Sequence, residues 1–158
     1  MATSCSRRSR CLFAALIAGL IAACKPAPPP TVDDLTFPVL VLFESGGLVR
    51  HDDAKDLQVM STQRVINSNS APFLIDSKLD IYRLDKLAST HGVWLMANPV
   101  GTTEVTFELA RVAQGDVEQA RRLIAERDWQ VREGSDDTPR QRLAQAGDLR
   151  AMLEAIGK

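Results

Sequence analysis

The sequence predicts an α+β fold, in which a small antiparallel sheet of about five strands is followed by two or three C-terminal helices. Up to Leu109, apolar residues form short continuous or alternating runs, which is the pattern of strands. From Val117 onward they recur every three or four residues, which is the pattern of amphipathic helices. Turn residues separate the strand-like runs, so we expect hairpins covered by the helices.

The first strand is predicted in residues 37–43, which are almost continuously apolar and include β-branched residues. Such a run is typical of a buried strand, and Pro38 fits only near its beginning or on a sheet edge. The turn residues at 45–47 predict a hairpin with Leu48-Val49-Arg50 as the returning strand.

A short helix is predicted next, over residues 54–60, with Asp52 or Asp53 as its N-cap. Residues 57–65 admit two interpretations. Their apolar residues fit one face of a helix, and the first of them also alternate as in a strand.

A second hairpin is predicted around Asp76-Ser77-Lys78, between residues 73–75 and residues 79–84. Alternation along the second arm predicts which side chains share a face. Leu79, Ile81 and Arg83 are expected on one face, and Asp80, Tyr82 and Leu84 on the other.

Two further strands are predicted before the helices. Residues 93–96 (Val-Trp-Leu-Met) are continuously apolar, which favours a buried strand containing Trp94. Residues 103–109 alternate strictly, with Val105, Phe107 and Leu109 on one face, which predicts a half-buried strand.

Helix-start signals divide the C-terminal part. Asp116, with Gln119 three residues later, predicts one N-terminus, and Thr138-Pro139-Arg140-Gln141 predicts another. A third helix is expected after Gly147 and Asp148. Its apolar stripe comprises Leu149, Met152, Leu153 and Ile156.

Residues 113–117 and 145–149 are similar in sequence, with Gly115 and Gly147 lying 32 residues apart. This spacing resembles an ankyrin repeat, whose period is about 33 residues. Arg140-Gln141 stands where that repeat has Leu-His, and the chain has room for little more than one repeat. We therefore interpret the similarity as two helices with similar caps.

The N-terminal region carries the most specific signal. Arg7, Arg8 and Arg10 precede an apolar run, residues 12–23, that is shorter than the roughly 20 residues of a membrane-spanning helix. This is the layout of a secretory signal. Ile21-Ala22-Ala23-Cys24 resembles the lipobox of bacterial lipoproteins, with Ile21 where the family prefers Leu.

The resemblance implies that Cys24 is the lipidation site. In the lipoprotein family this thiol is alkylated by diacylglycerol, the leader is removed before it, and the new amine is usually acylated. Cys5 and Cys11 would leave with the leader, so Cys24 would be the one cysteine of the mature chain. The alternatives are an ordinary secretory signal, which leaves Cys24 as a free thiol, and a twin-arginine signal at Arg7-Arg8.

The resemblance also implies a location. In the family's sorting rule, Asp after the lipidated cysteine retains a lipoprotein at the inner membrane. Lys25 stands there, so we expect an anchor in the outer membrane, facing the periplasm. The predicted organisation is a cleaved signal (1–23), a Pro-rich tether (24–36), whose residues 25–34 span roughly 30 Å in extended form, and one α+β domain (37–158).

Charge limits the classes of partner. Without the leader the chain has 16 basic and 20 acidic residues, because three of its 19 basic residues lie in the leader. The resulting net charge of −4 argues against a general nucleic-acid surface or anionic-lipid surface. We expect no nucleic-acid partner and no cofactor.

Candidate catalytic residues lie around the first hairpin. His51-Asp52-Asp53, with Glu44 across the hairpin, offers an imidazole and carboxylates for metal binding or general-base chemistry. The competing interpretation is a polar loop that feeds a helix cap, since adjacent strand residues point in opposite directions. His91 lies in a second polar segment before a predicted strand and is interpreted in the same way.

Other charged clusters carry weaker signals. Asp76, Asp80 and Asp85 do not match the spacing of a calcium loop, so solvated turn carboxylates are expected. Trp129 is interpreted as a packing residue or an interface anchor. The arginines of the C-terminal part are interspersed with acids, which is typical of a mixed helix surface; they are Arg121, Arg122, Arg132, Arg140 and Arg142.

These features predict a lipid-anchored lipoprotein of the cell envelope whose domain binds another protein without catalysis. Accessory subunit, inhibitor and immunity protein are the roles considered. The alternative is an envelope hydrolase or metal-dependent enzyme that uses Glu44, His51, Asp52 or Asp53. A third class, a cell-wall tether, would require peptidoglycan binding, for which the sequence contains no recognition motif.

Overall fold

A computed structural model describes residues 28–44, 47–66, 71–90, 101–128, 131 and 137–157. Several sequence predictions lie outside these residues. They are the signal peptide with Cys24, the strand at 93–96 with Trp94, His91, Trp129 and Arg132.

The described residues contain one antiparallel sheet of six strands followed by three helices, so the predicted α+β class is confirmed, with six strands rather than five. The spatial order is β2-β1-β4-β5-β6-β3. The strands are β1 Val39–Leu42, β2 Leu48–His51, β3 Val59–Ser61, β4 Phe73–Ile75, β5 Ile81–Ser89 and β6 Thr102–Ala113.

Both predicted hairpins are present. In the first, Val41 lies opposite Val49, and the Phe43 N–H donates to the Gly47 carbonyl at 2.8 Å. In the second, Leu74 lies opposite Tyr82. Ile81 packs on one side of the sheet while Tyr82 and Leu84 pack on the other, as the alternation predicts.

The ambiguous segment 57–65 contains both kinds of structure. Helix α1, Ala54–Leu57, is shorter than predicted and is followed by β3 and by helix α2, Thr62–Ile66. Strand β3 forms because Val59, Met60 and Ser61 pair with the N-terminal end of β6, opposite Glu104, Thr103 and Thr102.

Three longer helices follow the sheet: α3 Val117–Arg127, α4 Thr138–Gln145 and α5 Leu149–Ala155. Asp116 accepts the Gln119 N–H and Asp148 accepts the Ala151 N–H, each at 2.8 Å. These bonds confirm the interpretation of the internal similarity as two caps. Helix α4 begins at Thr138, so its N-cap is Asp137, one residue earlier than predicted. Among the described helices, none is long and apolar enough to cross a membrane.

The sheet is covered on both faces, which explains the continuous apolar run of β1. Leu40 and Leu42 pack against α3, α4 and α5, together with Met152, Leu153 and Ile156. Val39, Val41 and Phe43 point to the opposite face. There they pack with Leu57 of α1, Met60 of β3, and Tyr82, Leu84, Val105 and Leu109 of the long strands.

The segment before β1 also packs on this second face. A 3₁₀ helix over Val32–Asp34 is closed by the Asp34 carboxylate, which accepts from Thr31 N at 2.7 Å and from Thr31 Oγ1 at 3.0 Å. The bond from the Thr31 backbone lowers the pKa of Asp34. Leu35 is buried among the core residues of that face. The last residues of the predicted tether therefore lie against the sheet, and the boundary at residue 37 stays a prediction.

Candidate functional site

His51 lies at the end of β2, opposite Val39, and is buried with only 3 % of its surface exposed. Its Nδ1 lies 3.3 Å from Oδ2 of Asp56, whose side chain is 53 % exposed. The separation fits an ion pair, yet neither ring nitrogen has a hydrogen-bond partner of adequate geometry among the described residues. The imidazole is therefore close to a carboxylate but forms no hydrogen bond with it.

The carboxylates adjacent to His51 in sequence are engaged elsewhere. Asp52 accepts from Arg50, with Nε at 2.8 Å and Nη2 at 2.7 Å. Asp53 caps α1 by accepting the Asp56 N–H at 2.7 Å, which confirms the cap interpretation for this residue. Glu44 is exposed beyond the end of β1. The structure thus does not bring Glu44, Asp52 and Asp53 together around His51.

His51 instead lines a cavity of about 230 Å³ between β2, α1, β3 and α2. We call it the His51 cavity. Phe43, Val49, Val59 and Met60 supply its apolar wall, and Arg50, His51, Asp56, Ser61, Arg64 and Thr102 supply its polar groups.

Arg64 on α2 is the cation of this cavity that sequence analysis missed. Its guanidinium carbon lies 5.7 Å from the centroid of the Phe43 ring, which places the planar group over the aromatic face. A Cβ built on Gly47 would lie 3.4 Å from Arg64 Nε, so the side chain also packs closely against the hairpin.

Asp56 was missed as well, although one signal for it was present. A helix capped by Asp53 turns its third position back toward the preceding strand, so Asp56 returns to His51. Arg64 had no comparable signal, because it lies in the segment whose pattern fitted both helix and strand.

The carboxylates considered for calcium are structural. Asp76 is 1 % exposed and accepts three backbone N–H groups: Lys78 and Asp80 at 2.9 Å to Oδ1, and Thr36 at 3.2 Å to Oδ2. Asp80, also buried, accepts the Gly115 N–H at 3.0 Å. The expectation of solvated turn carboxylates is wrong for these two residues, because their oxygens tie the second hairpin to the segment before β1 and to the end of β6.

Asp85 differs from Asp76 and Asp80. It pairs with Arg83 through Nε at 2.6 Å and Nη2 at 2.9 Å, and the hydrogen bond from Arg83 lowers its pKa. The three aspartates therefore do not share a site. Within the described part of the chain, no group of three or more His, Cys, Asp or Glu is arranged to hold a metal ion.

Tyr82 is fully buried on the second face. The guanidinium of Arg111 lies over its ring at 5.4 Å and donates from Nη2 to the phenol oxygen at 3.2 Å. Burial raises the pKa of Tyr82, while the bond from Arg111 acts in the opposite direction.

Two C-terminal arginines are used inside the fold. Arg121 donates to the Ala146 carbonyl at 2.8 Å and pairs with Glu118 at 2.5 Å. Arg140 donates to the Val131 carbonyl and lies 3.4 Å from Asp137. The bond from Arg121 joins α3 to the end of α4, and the bond from Arg140 joins α4 to the chain before it, whereas Arg122 and Arg142 are exposed.

Comparisons with protein-family models, with curated proteins and with solved structures found no match for this chain. The functional argument therefore depends on the residues themselves.

Proposed function

We propose that this chain is a bacterial lipoprotein, anchored through Cys24 to the periplasmic face of the outer membrane, and that its folded domain binds another envelope protein. The observation that carries the proposal is the sequence Ile21-Ala22-Ala23-Cys24 behind a basic head and an apolar run. Each acyl chain contributes about 0.8 kcal/mol per buried methylene, so a cysteine with two or three chains holds stably.

The folded domain is consistent with a tethered module. Its sheet has a packed layer on each face, and the segment that leads toward Cys24 emerges from one of these layers. The N-terminal chain can therefore run toward an anchor while both layers of the domain stay packed. Protein binding is favoured over catalysis because three of the four candidate catalytic residues are not gathered at a common cavity.

The enzyme alternative has less support for the same reason. It requires Glu44, Asp52 and Asp53 to act with His51. Asp52 is held by Arg50, and Asp53 is used as a helix cap. His51→Ala, assayed for envelope hydrolase activity alongside the parent protein, would revive this alternative if an activity were present and then lost.

The anchor is tested by mass spectrometry of the membrane fraction. We expect a mature chain that begins at acylated Cys24, and we expect Cys24→Ser to abolish acylation and leave the leader uncut or the protein soluble. Cys11→Ser, which changes a cysteine inside the leader, is the matched control and should leave processing unchanged. An unmodified chain that begins at another residue would refute the anchor.

Partner binding is tested by crosslinking in intact cells. We expect one envelope protein to be crosslinked to the wild-type chain at a defined stoichiometry. This crosslink should be absent in the Cys24→Ser strain, in which the lipoprotein is kept from the membrane. Crosslinks that are equally frequent in both strains, or none at all, would contradict the proposal. Binding to isolated sacculi would instead favour the cell-wall tether.

A further inference from the structure

The His51 cavity contains a buried polar side chain that the fold leaves unsatisfied. His51 is more than nine-tenths buried, and both ring nitrogens lack a hydrogen-bond partner among the described residues. Nδ1 lies 3.3 Å from Asp56 Oδ2 without the alignment of a hydrogen bond, and among the described residues no carboxylate lies within 4.0 Å of Nε2. An unpaired buried polar group is costly. Both nitrogens are also closed off from solvent, so the ring has to turn before a molecule in the cavity can bond to either of them, and that bond would then recover the loss.

Arg64 is the second unusual group. Like Arg122, Arg142 and Arg150, it has no carboxylate within 4.0 Å among the described residues, but those three arginines are exposed and Arg64 is not. Its half-buried guanidinium is held over the Phe43 ring instead. A guanidinium fixed in this way presents a planar set of donors that matches a carboxylate, and stacking reduces the side-chain freedom lost on binding.

The remaining wall limits the size and character of an occupant. Phe43, Val49 and Met60 are apolar, and the volume of about 230 Å³ equals that of about eight water molecules. Such a space fits a group of roughly eight non-hydrogen atoms, part polar and part apolar. The carboxylate of Asp56 on the same wall would repel a doubly charged anion more strongly than a single carboxylate.

We propose that the His51 cavity binds a carboxylate carried on a short apolar group. The carboxylate lies against the Arg64 guanidinium and, once the His51 ring turns toward the cavity, accepts a hydrogen bond from Nε2–H, while the apolar part contacts Phe43, Val49 and Met60. A free branched-chain acid and the C-terminal residue of a peptide share this chemistry. The site does not depend on lipidation of Cys24, so it extends the proposed function.

The test uses the full-length chain in a nonionic detergent and saturation-transfer NMR titrations of four probes. Two are acids, 4-methylpentanoate and N-acetyl-leucine, and two are the corresponding uncharged amides. We expect at least one acid to bind saturably and its amide to bind about tenfold or more weakly. Tighter binding of N-acetyl-leucine would assign the site to a peptide terminus, and tighter binding of 4-methylpentanoate to a free acid.

Variants separate this site from nonspecific uptake into detergent. Arg64→Gln and His51→Gln should each weaken acid binding about tenfold or more. Arg142→Gln, the same change at an exposed arginine of α4, is the matched control and should leave it unchanged. If circular dichroism shows that Arg64→Gln is unfolded, Arg64→Lys replaces it and should bind with intermediate affinity, because its charge remains without the planar fork.

Three results would overturn the proposal: amides that bind as well as acids, no saturable binding by either acid, or a folded Arg64→Gln with the affinity of the parent. Mass spectrometry of the same sample reports whether Cys24 is acylated. A failed anchor can therefore be distinguished from a failed cavity.

Discussion

Replacing Asp76 by asparagine tests whether this buried carboxylate holds the second hairpin to the segment before β1. The amide oxygen can take the place of Oδ1 and keep the bonds from Lys78 and Asp80, but without charge assistance. The amide nitrogen then faces the Thr36 N–H, and two donors cannot bond to each other. Asp76→Asn thus weakens two hydrogen bonds and leaves one partly buried N–H without its acceptor.

The magnitude follows from these three bonds. Hydrogen bonds to a charged group contribute about 1.5–3 kcal/mol and neutral ones about 1 kcal/mol. Weakening two of them and losing the third should therefore lower the free energy of unfolding by about 2.5–7 kcal/mol. This is a large share of a typical stability of about 5–15 kcal/mol. With a urea dependence of about 2 kcal/mol per molar, in the middle of the usual range, the unfolding midpoint should fall by about 1–3.5 M.

The assay is urea unfolding followed by circular dichroism, with Asp85→Asn as the matched control. Asp85 is an aspartate of the same hairpin that pairs with Arg83 near the surface, so solvent should replace most of what the substitution removes. We expect a much smaller change in its midpoint. A midpoint for Asp76→Asn that is no lower than that of Asp85→Asn would refute the assigned role of Asp76.

Two further predictions concern Tyr82 and Asp116. Tyr82 is the sole tyrosine, so ultraviolet absorbance of tyrosinate should titrate above pH 10.0 in the folded protein and at the ordinary value in urea; equal midpoints would contradict its burial. Because burial raises the pKa of Tyr82 in the folded state, the stability linked to its protonation is fully present below the unfolded pKa of 10.0 and is lost as pH rises through the folded pKa. Asp116→Ala removes the acceptor of the Gln119 N–H and should lower the free energy of unfolding, measured by thermal denaturation, by about 1 kcal/mol. Asp116→Asn keeps an acceptor and should lower it less; equal losses would argue against the cap.

The parts of the fold that sequence predicted are those whose causes are local. The hairpins follow from continuous or alternating apolar runs around turn residues, and the caps at Asp116 and Asp148 bond to residues three positions away. The continuous apolar run of β1 indicated burial on both sides, and the sheet is covered on both faces there.

The parts that sequence did not predict depend on distant pairing. Strand β3 exists because it pairs with β6, about forty positions later in the chain, so its own pattern could not separate strand from helix. Asp76 and Asp80 lie in a segment whose composition is that of an exposed turn. They are buried because they bind Thr36 and Gly115, which lie 40 and 35 residues away.

The candidate site was predicted only in part for a related reason. The sequence points to His51, but the only partners it suggests for the imidazole are Glu44 and the adjacent Asp52 and Asp53. Asp52, just past the end of β2, pairs with Arg50, and α1 uses Asp53 as a cap. The groups that line the cavity with His51 come from one helical turn later, at Asp56, and from a second helix, at Arg64.

The placement of β1 decides how the domain would resist a pull from a membrane anchor. Tension arriving along the N-terminal chain first meets the 3₁₀ helix closed by Asp34. It then meets three bonds at the start of β1: Thr36 N–H to Asp76, Ser77 N–H to the Thr36 carbonyl, and Ser77 Oγ–H to the Pro38 carbonyl. Behind them β1 is bonded to β2 on one side and to β4 on the other. Extraction would have to rupture both ladders together, so the domain would bear load at its interior and not peel from an edge.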